Sequence, residues 1–322
     1  MNVSTGLKPR VAAVMGALIA DSAALGLHWL YDPERIAQIE QNKGLVFLQP
    51  QKDHYADAEG FFAHGSKTVG DASGYGEVCL LMLRHLAAHG EFNRVEFQSE
   101  YRNHFGPGGT YTGYIDTPTR LTLLKLISLT PQTYPEASGA DDDQFAALAT
   151  VPVITAAHHG TLDALLQKIE IAVRLTNDNE TAVAAAKYAA AVLNNILSGN
   201  PIEAALTVSL QYSGEKLAPL LEEAIHIKSL NSVTTAARFG SACHVNEGLP
   251  VIAHIARHAE NYQQAVEANI RAGGDSCGRA IVLGAVSAAQ ATMQCDGDSA
   301  IPLSWLAKYN KLSIAAEACA RL

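Results

Sequence analysis

The stretch Ala272-Gly273-Gly274-Asp275-Ser276-Cys277-Gly278-Arg279-Ala280 joins two apolar segments, 262–272 and 277–291. Its paired glycines permit a tight reversal and a close backbone approach. The aspartate directly after them is placed to cap the helix that follows or to hold a cation. Both flanking segments carry apolar residues at three- and four-residue spacing, the pattern of helices that bury one face. No strand precedes the glycines and no GxGxxG occurs here, so a dinucleotide-binding turn is excluded.

Working outward, the same spacing predicts helices near 10–27, 76–89, 117–129, 143–158, 161–175, 180–197, 215–228, 247–258, 262–272, 277–291 and 311–321. Val78, Leu81, Met82 and Leu86 are one such stripe. Asn93, Asn179-Glu180 and Gly199-Asn200-Pro201 mark helix ends. Strand-like alternation is confined to Leu45–Leu48, so the fold class is all-α. Two irregular regions, 41–75 and 104–116, are long enough to suggest function. No repeat or low-complexity linker divides the chain, and 1–322 is expected to be a single domain.

With 322 residues and 48% hydrophobic content, the chain can bury a large core. Lys and Arg total 23 against 32 Asp and Glu, a net charge of −9. That balance argues against a nucleic-acid or membrane-surface partner, because phosphate binding needs a concentrated positive face. The five cysteines, Cys79, Cys243, Cys277, Cys295 and Cys319, form no CxxC pair and read as reduced thiols. Lys8-Pro9-Arg10 before Val11–Ala20 has the outline of a signal peptide, but Asp21 closes the apolar run. The expected location is cytoplasmic.

Several residues could carry chemistry. Gly273, Gly274 and Ser276 open a helix whose free N–H groups suit an anion. Gly70-Asp71-Ala72-Ser73-Gly74-Tyr75-Gly76-Glu77 opens another with two carboxylates, readable as a ligand wall or as ordinary capping. Asp141-Asp142-Asp143 could gather a divalent cation or complement a helix dipole. His85/His89 and His254/His258 have metal-binding spacing but lack the Glu of HExxH and an evident third ligand. His28 and His244, at helix–loop junctions, are better site candidates. Cys277 at a helix start is either an activated thiol or a packing residue.

The order of these motifs resembles the ADP-ribosylglycohydrolase family. Met15-Gly16-Ala17-Leu18-Ile19-Ala20-Asp21-Ser22-Ala23-Ala24-Leu25-Gly26 is similar to its first helix, "GALLGDALG", and Gly273–Gly278 to its late "GGDTDT" element. Ala146–Pro152, Phe239-Gly240 through Leu249-Pro250, and Ile301-Pro302 with Trp305 follow in the same order. The resemblance implies an all-α orthogonal bundle with two Mg²⁺ or Mn²⁺ ions in a central cleft, cleaving an N- or O-glycosidic ADP-ribosyl or related nucleotide-sugar bond. It places Asp275 as the surviving metal ligand and Asp71, Glu77 and Asp275 as the catalytic acids. Asp21, His28, Ser73, Tyr75, Asp143, His244, Gly273, Gly274, Ser276 and Cys277 would line the ligand site, and Arg279 would reach a phosphate.

The chain departs from that pattern at the metal motifs. The family's "TDDT" falls on Ser73-Gly74-Tyr75-Gly76, and a four-residue shift restores only Asp71. In the late motif Cys277 and Gly278 stand where the family has aspartate and threonine. A thiol does not replace a carboxylate for Mg²⁺, so the two-ion site is not supported. These substitutions, with "LHW.YD" and "DDDQ", look like the branch that includes jellyfish lens crystallins. The alternative to a hydrolase is therefore a non-catalytic ligand-binding or structural member.

Overall fold

A computed structural model describes residues 7–228, 231–294 and 301–322. Cys295 lies outside them. The described chain forms sixteen α-helices. The first eight are α1 (Pro9–Ala24), α2 (Pro33–Lys43), α3 (Gly74–His89), α4 (Arg94–Phe105), α5 (Thr117–Leu126), α6 (Val151–Ala157), α7 (Leu162–Val173) and α8 (Glu180–Leu197). The remainder are α9 (Ile202–Val208), α10 (Gly214–His226), α11 (Ser232–Phe239), α12 (Val245–His258), α13 (Tyr262–Arg271), α14 (Ser276–Gln294), α15 (Leu303–Leu306) and α16 (Leu312–Cys319). No strand is present among the described residues, only isolated bridges. Leu45–Leu48 is irregular, with Phe47 at a left-handed φ of 55°.

The expected 143–158 helix divides into a 3₁₀ turn, Phe145–Leu148, and α6. Pro152 has no N–H to continue a helix and instead sits in the first turn of α6. The short polar helices α2 and α4 are capped by Asp32, which accepts from Arg35 N at 3.0 Å, and by Asn93, which accepts from Val95 and Glu96.

The core is one contiguous cluster running from Ala12 to Cys319, and α1 and α14 are its axis. They meet along more of their length than any other pair. They approach this closely because Gly16 and Gly284 face each other: a Cβ on Gly284 would lie 2.4 Å from the Gly16 carbonyl oxygen. Pro9–Leu27 has the length and mean hydropathy, 1.5, to cross a membrane, yet 89% of its apolar window is buried inside the protein. Arg10, at the start of that stretch, donates to the carbonyls of Ala156 and His158 at 2.7 and 2.6 Å. It thereby caps the C-terminus of α6.

Gly284→Val should force α1 and α14 apart and lower unfolding free energy by about 3 kcal/mol. The check is a lower urea midpoint at unchanged slope; an unchanged midpoint would mean the helices do not cross at this glycine.

Candidate functional site

The glycine turn before α14 is built as the sequence implied. Gly273 and Gly274 adopt φ of 70° and 63°, and a Cβ on Gly274 would lie 2.0 Å from the Ser241 carbonyl oxygen. The turn pairs with Trp29 and Leu30: Trp29 N donates to Gly274 O at 2.8 Å, and Gly274 N to Leu30 O at 2.7 Å. That pairing lays His28 over the start of α14.

Asp275 is fully buried, and three groups converge on its carboxylate. Oδ1 accepts from His28 Nε2 and from Gly278 N, both at 2.8 Å, and Oδ2 accepts from the Tyr75 hydroxyl at 2.9 Å. Burial alone would raise its pKa, but these hydrogen bonds outweigh burial and hold it below the usual carboxylate value. Asp275 is thus an ionised N-cap with donors from α3, α14 and the loop after α1. His28 Nδ1 lies 2.7 Å from His64 Nε2. With one proton on each ring, His64 donates to His28 and His28 to Asp275. This leaves His64 Nδ1 buried without a hydrogen-bond partner. Burial and the neighbouring His28 keep His64 well below the ordinary histidine pKa. Trp29, at an uncommon φ of 64°, stacks on His28 with 4.1 Å between ring centroids.

Asp21, also fully buried, accepts from Ser73 N at 2.9 Å and from the Ser73 hydroxyl. Ser73 in turn caps α3 through Tyr75 N and Gly76 N. Burial raises the Asp21 pKa to about 7. Cys277 Sγ lies 3.5 Å from the Asp21 carbonyl oxygen, and burial pushes its thiol pKa well up. It is a packing residue, contrary to the activated-thiol reading.

A second layer forms where 142–145 pairs with 243–245. Phe145 N donates to Cys243 O and Val245 N to Asp143 O, both at 3.0 Å. This brings His244 Nδ1 within 2.5 Å of Asp143 Oδ1. Hydrogen bonding to Asp143 raises the His244 pKa. Asp142 caps Gln144 N at 2.8 Å, and Asp141 accepts from Asn179. The three acids therefore lie in a loop and do not form a helical first turn. Asp116, half-buried at the start of α5, is an electrostatic neighbour of Asp142 and Asp275. Burial raises the pKa of both Asp116 and Asp142. Tyr114 and Phe61 pack against Trp29 beside them.

Three expected roles are corrected. Arg279 is fully buried and donates to Asn269 Oδ1 at 2.8 Å, to Asn269 O at 3.2 Å and to Gly273 O. It pins the glycine turn with its donors directed inward, and its burial keeps it from a phosphate arriving from solvent. Asp71 accepts from Thr68 N at 2.8 Å and from Asn310 at 2.9 Å, tying a loop to the C-terminal segment. Glu77 is buried between His104 and Lys311. Asp71, Glu77 and Asp275 thus each bond to a different set of partners. The Ser276 hydroxyl is buried with no hydrogen-bond partner.

The donor set does not fit a pair of Mg²⁺ or Mn²⁺ ions. Such ions need several open oxygen ligands. Here the Asp275 oxygens already accept three protein hydrogen bonds, and Ser73, Tyr75 and Cys277 supply no carboxylate. His85 and His89 do acquire a third group, Glu100, at 2.9 and 3.0 Å. However, Asn93 N donates to His85 Nε2 at 3.0 Å, which places that ring's proton on Nδ1, facing Glu100. A metal at Nδ1 would have to displace that proton. In the other pair, His258 bonds the Ile227 carbonyl at 2.6 Å. Of two surface depressions, of about 490 and 560 Å³, the first is lined by His85, Glu100, His104 and Glu317 and the second by Arg94 and Arg174.

His64, Lys67 and Asp116 belong to this centre but were missed in sequence. They lie in the two long irregular regions, whose length was the only available signal.

Comparison with known proteins places this geometry in context. The ADP-ribosylglycohydrolase family model matches residues 5–322. Crystallin J1A of Tripedalia cystophora is 27% identical over 310 residues, covering 93% of this chain and 91% of that protein. Crystallin J1B of the same organism is 25% identical over 308 residues, covering 92% and 90%. The fold is shared with a solved structure titled "ADP-ribosylglycohydrolase-related protein complex". That match has a TM-score of 0.73 at 17% identity and covers 98% of this chain and 96% of the other.

Asp21 titrates from 3.8 unfolded to about 7 folded, so its contribution favours the folded state fully below pH 4 and is lost as pH rises through 7. Asp21→Asn mimics the protonated form. Relative to the unaltered protein its melting temperature should rise between about pH 4 and 7 and then level off, whereas a pH-independent difference would contradict the raised pKa.

Proposed function

The chain belongs to the ADP-ribosylglycohydrolase family, and from that premise we propose that it is a metal-free member. It holds a ligand of the ADP-ribosyl or related nucleotide-sugar class without cleaving it by metal-activated water. One observation carries this reading: the Asp275 carboxylate is occupied by His28, Tyr75 and Gly278. Metal-assisted hydrolysis needs carboxylates free to fix ions and, through them, a nucleophilic water. Here a phenol, an imidazole and a backbone N–H occupy those oxygens. Phe61 and Tyr114, packed on the buried Trp29, offer aromatic surface for a ring-bearing ligand, with Asp116 an electrostatic neighbour of Tyr114. Likeness to two crystallins supports a non-hydrolytic role.

A second reading, metal-free hydrolysis, is favoured by the acids themselves. Asp116 and Asp142 are pushed up while Asp275 is held down. Divergent carboxyl pKa values are the arrangement glycoside hydrolysis uses for its acid and its ionised partner. In that reading Asp116 protonates the leaving group and His244, held by Asp143, receives the proton of water.

The two readings separate in one experiment. ADP-ribosylated peptides are incubated with the protein in Mg²⁺ or EDTA, and ADP-ribose binding is followed by calorimetry. Saturable binding with no release in either buffer is expected. Mg²⁺-dependent release would contradict the proposal. Release in EDTA that is lost in Asp116→Asn but kept in Asp71→Asn would establish the second reading. Neither binding nor release would remove the ADP-ribosyl class.

A further inference from the structure

Lys67 is 7% exposed. Its ammonium lies 4.6 Å from the centroid of the Tyr111 ring, a favourable cation–π placement. Among the described residues no ion pair within 4 Å and no side-chain hydrogen bond involves it. Its backbone is fixed at both ends: Lys67 N donates to His64 O, and Lys67 O accepts from Gln49 Nε2, both at 3.0 Å. Its electrostatic neighbours are the carboxyls of Glu77 on α3, Asp71 in the preceding loop and Asp21 on α1, together with the ammonium of Lys311. His64 also faces it.

A buried ammonium is costly unless nearby negative charge compensates it. Each of the three acids meets its own hydrogen-bond donors, Ser73 for Asp21, His104 and Lys311 for Glu77, and Thr68 and Asn310 for Asp71. The donors to Asp21 and Asp71 are neutral, and only Glu77 meets an opposite charge directly, in its ion pair with Lys311. The Lys311 side chain is 31% exposed, so solvent screens it. Lys67 is the better buried of the two cations. We propose that the Lys67 ammonium is the resident cation of this centre, neutralising the Asp21–Glu77 acid group and excluding a divalent ion from it. The inference rests on the metal-free reading above and extends it from Asp275 to the acids around Lys67.

The test is Mn²⁺ binding by calorimetry and thermal shift, comparing the unaltered protein with Lys67→Ala, Lys67→Gln and Lys67→Arg. Removing the charge in Lys67→Ala or Lys67→Gln should tighten Mn²⁺ binding at least tenfold. It should also let Mn²⁺ raise the melting temperature where KCl of equal ionic strength does not. Lys67→Arg keeps the charge and should behave as the unaltered protein. A merely packed lysine stem would change stability without changing ion affinity. If Lys67→Ala does not fold, Lys67→Gln against Lys67→Arg gives the same comparison. Folded variants with unchanged Mn²⁺ affinity would overturn the role of Lys67 alone. Tight Mn²⁺ binding by the unaltered protein would overturn the metal-free reading itself.

Discussion

A carboxylate buried in a protein interior must be surrounded by donors or give up its charge. Asp275 is that carboxylate, and its three donors arrive from three parts of the chain. His28 is delivered by the Leu30–Gly274 bridge, Tyr75 by the Ser73-capped start of α3, and Gly278 by α14 itself. These parts meet because α1 and α14 cross at Gly16 and Gly284 with no side chain between them. Arg279 completes the arrangement from beneath, holding the turn by its carbonyls. The chemistry of the centre and the packing of the core are one constraint.

Much of the fold was legible because long helices with an apolar stripe announce their period. The segments at 180–197 and 262–272 coincide with α8 and α13 almost to the residue. The helices absent from that reading are of another kind. α2 and α4 are largely polar, and α9, α11 and α15 have eight residues or fewer, so period carries little signal there. The centre was legible where a residue sits at a helix start, as Asp275, Ser73 and Tyr75 do. It was illegible where direction decides. Arg279 lies one turn beyond Asp275, yet its face of α14 points back to Asn269. Asp71 is two residues from Ser73, but its carboxylate turns to Thr68 and Asn310.

The family's framework has thus been kept while its polar centre is satisfied in another way. Tyr75 stands where an acid is expected from the resemblance and donates to the very carboxylate that acid would have joined in holding ions. Cys277, in the place of a second acid, is packed against Asp21. Such substitutions are mutually consistent: removing carboxylates removes the need for a divalent ion, and the remaining acids find N–H and O–H donors inside the protein. A fold can therefore persist in outline while the side chains at its polar centre change.

The most direct measurement is an anomalous-scattering map from crystals equilibrated with Mn²⁺. The account predicts no Mn²⁺ peak bonded to Asp275, with Tyr75 Oη and His28 Nε2 still within hydrogen-bond distance of its carboxylate. One or two Mn²⁺ peaks coordinated by Asp275, with Tyr75 displaced, would contradict it.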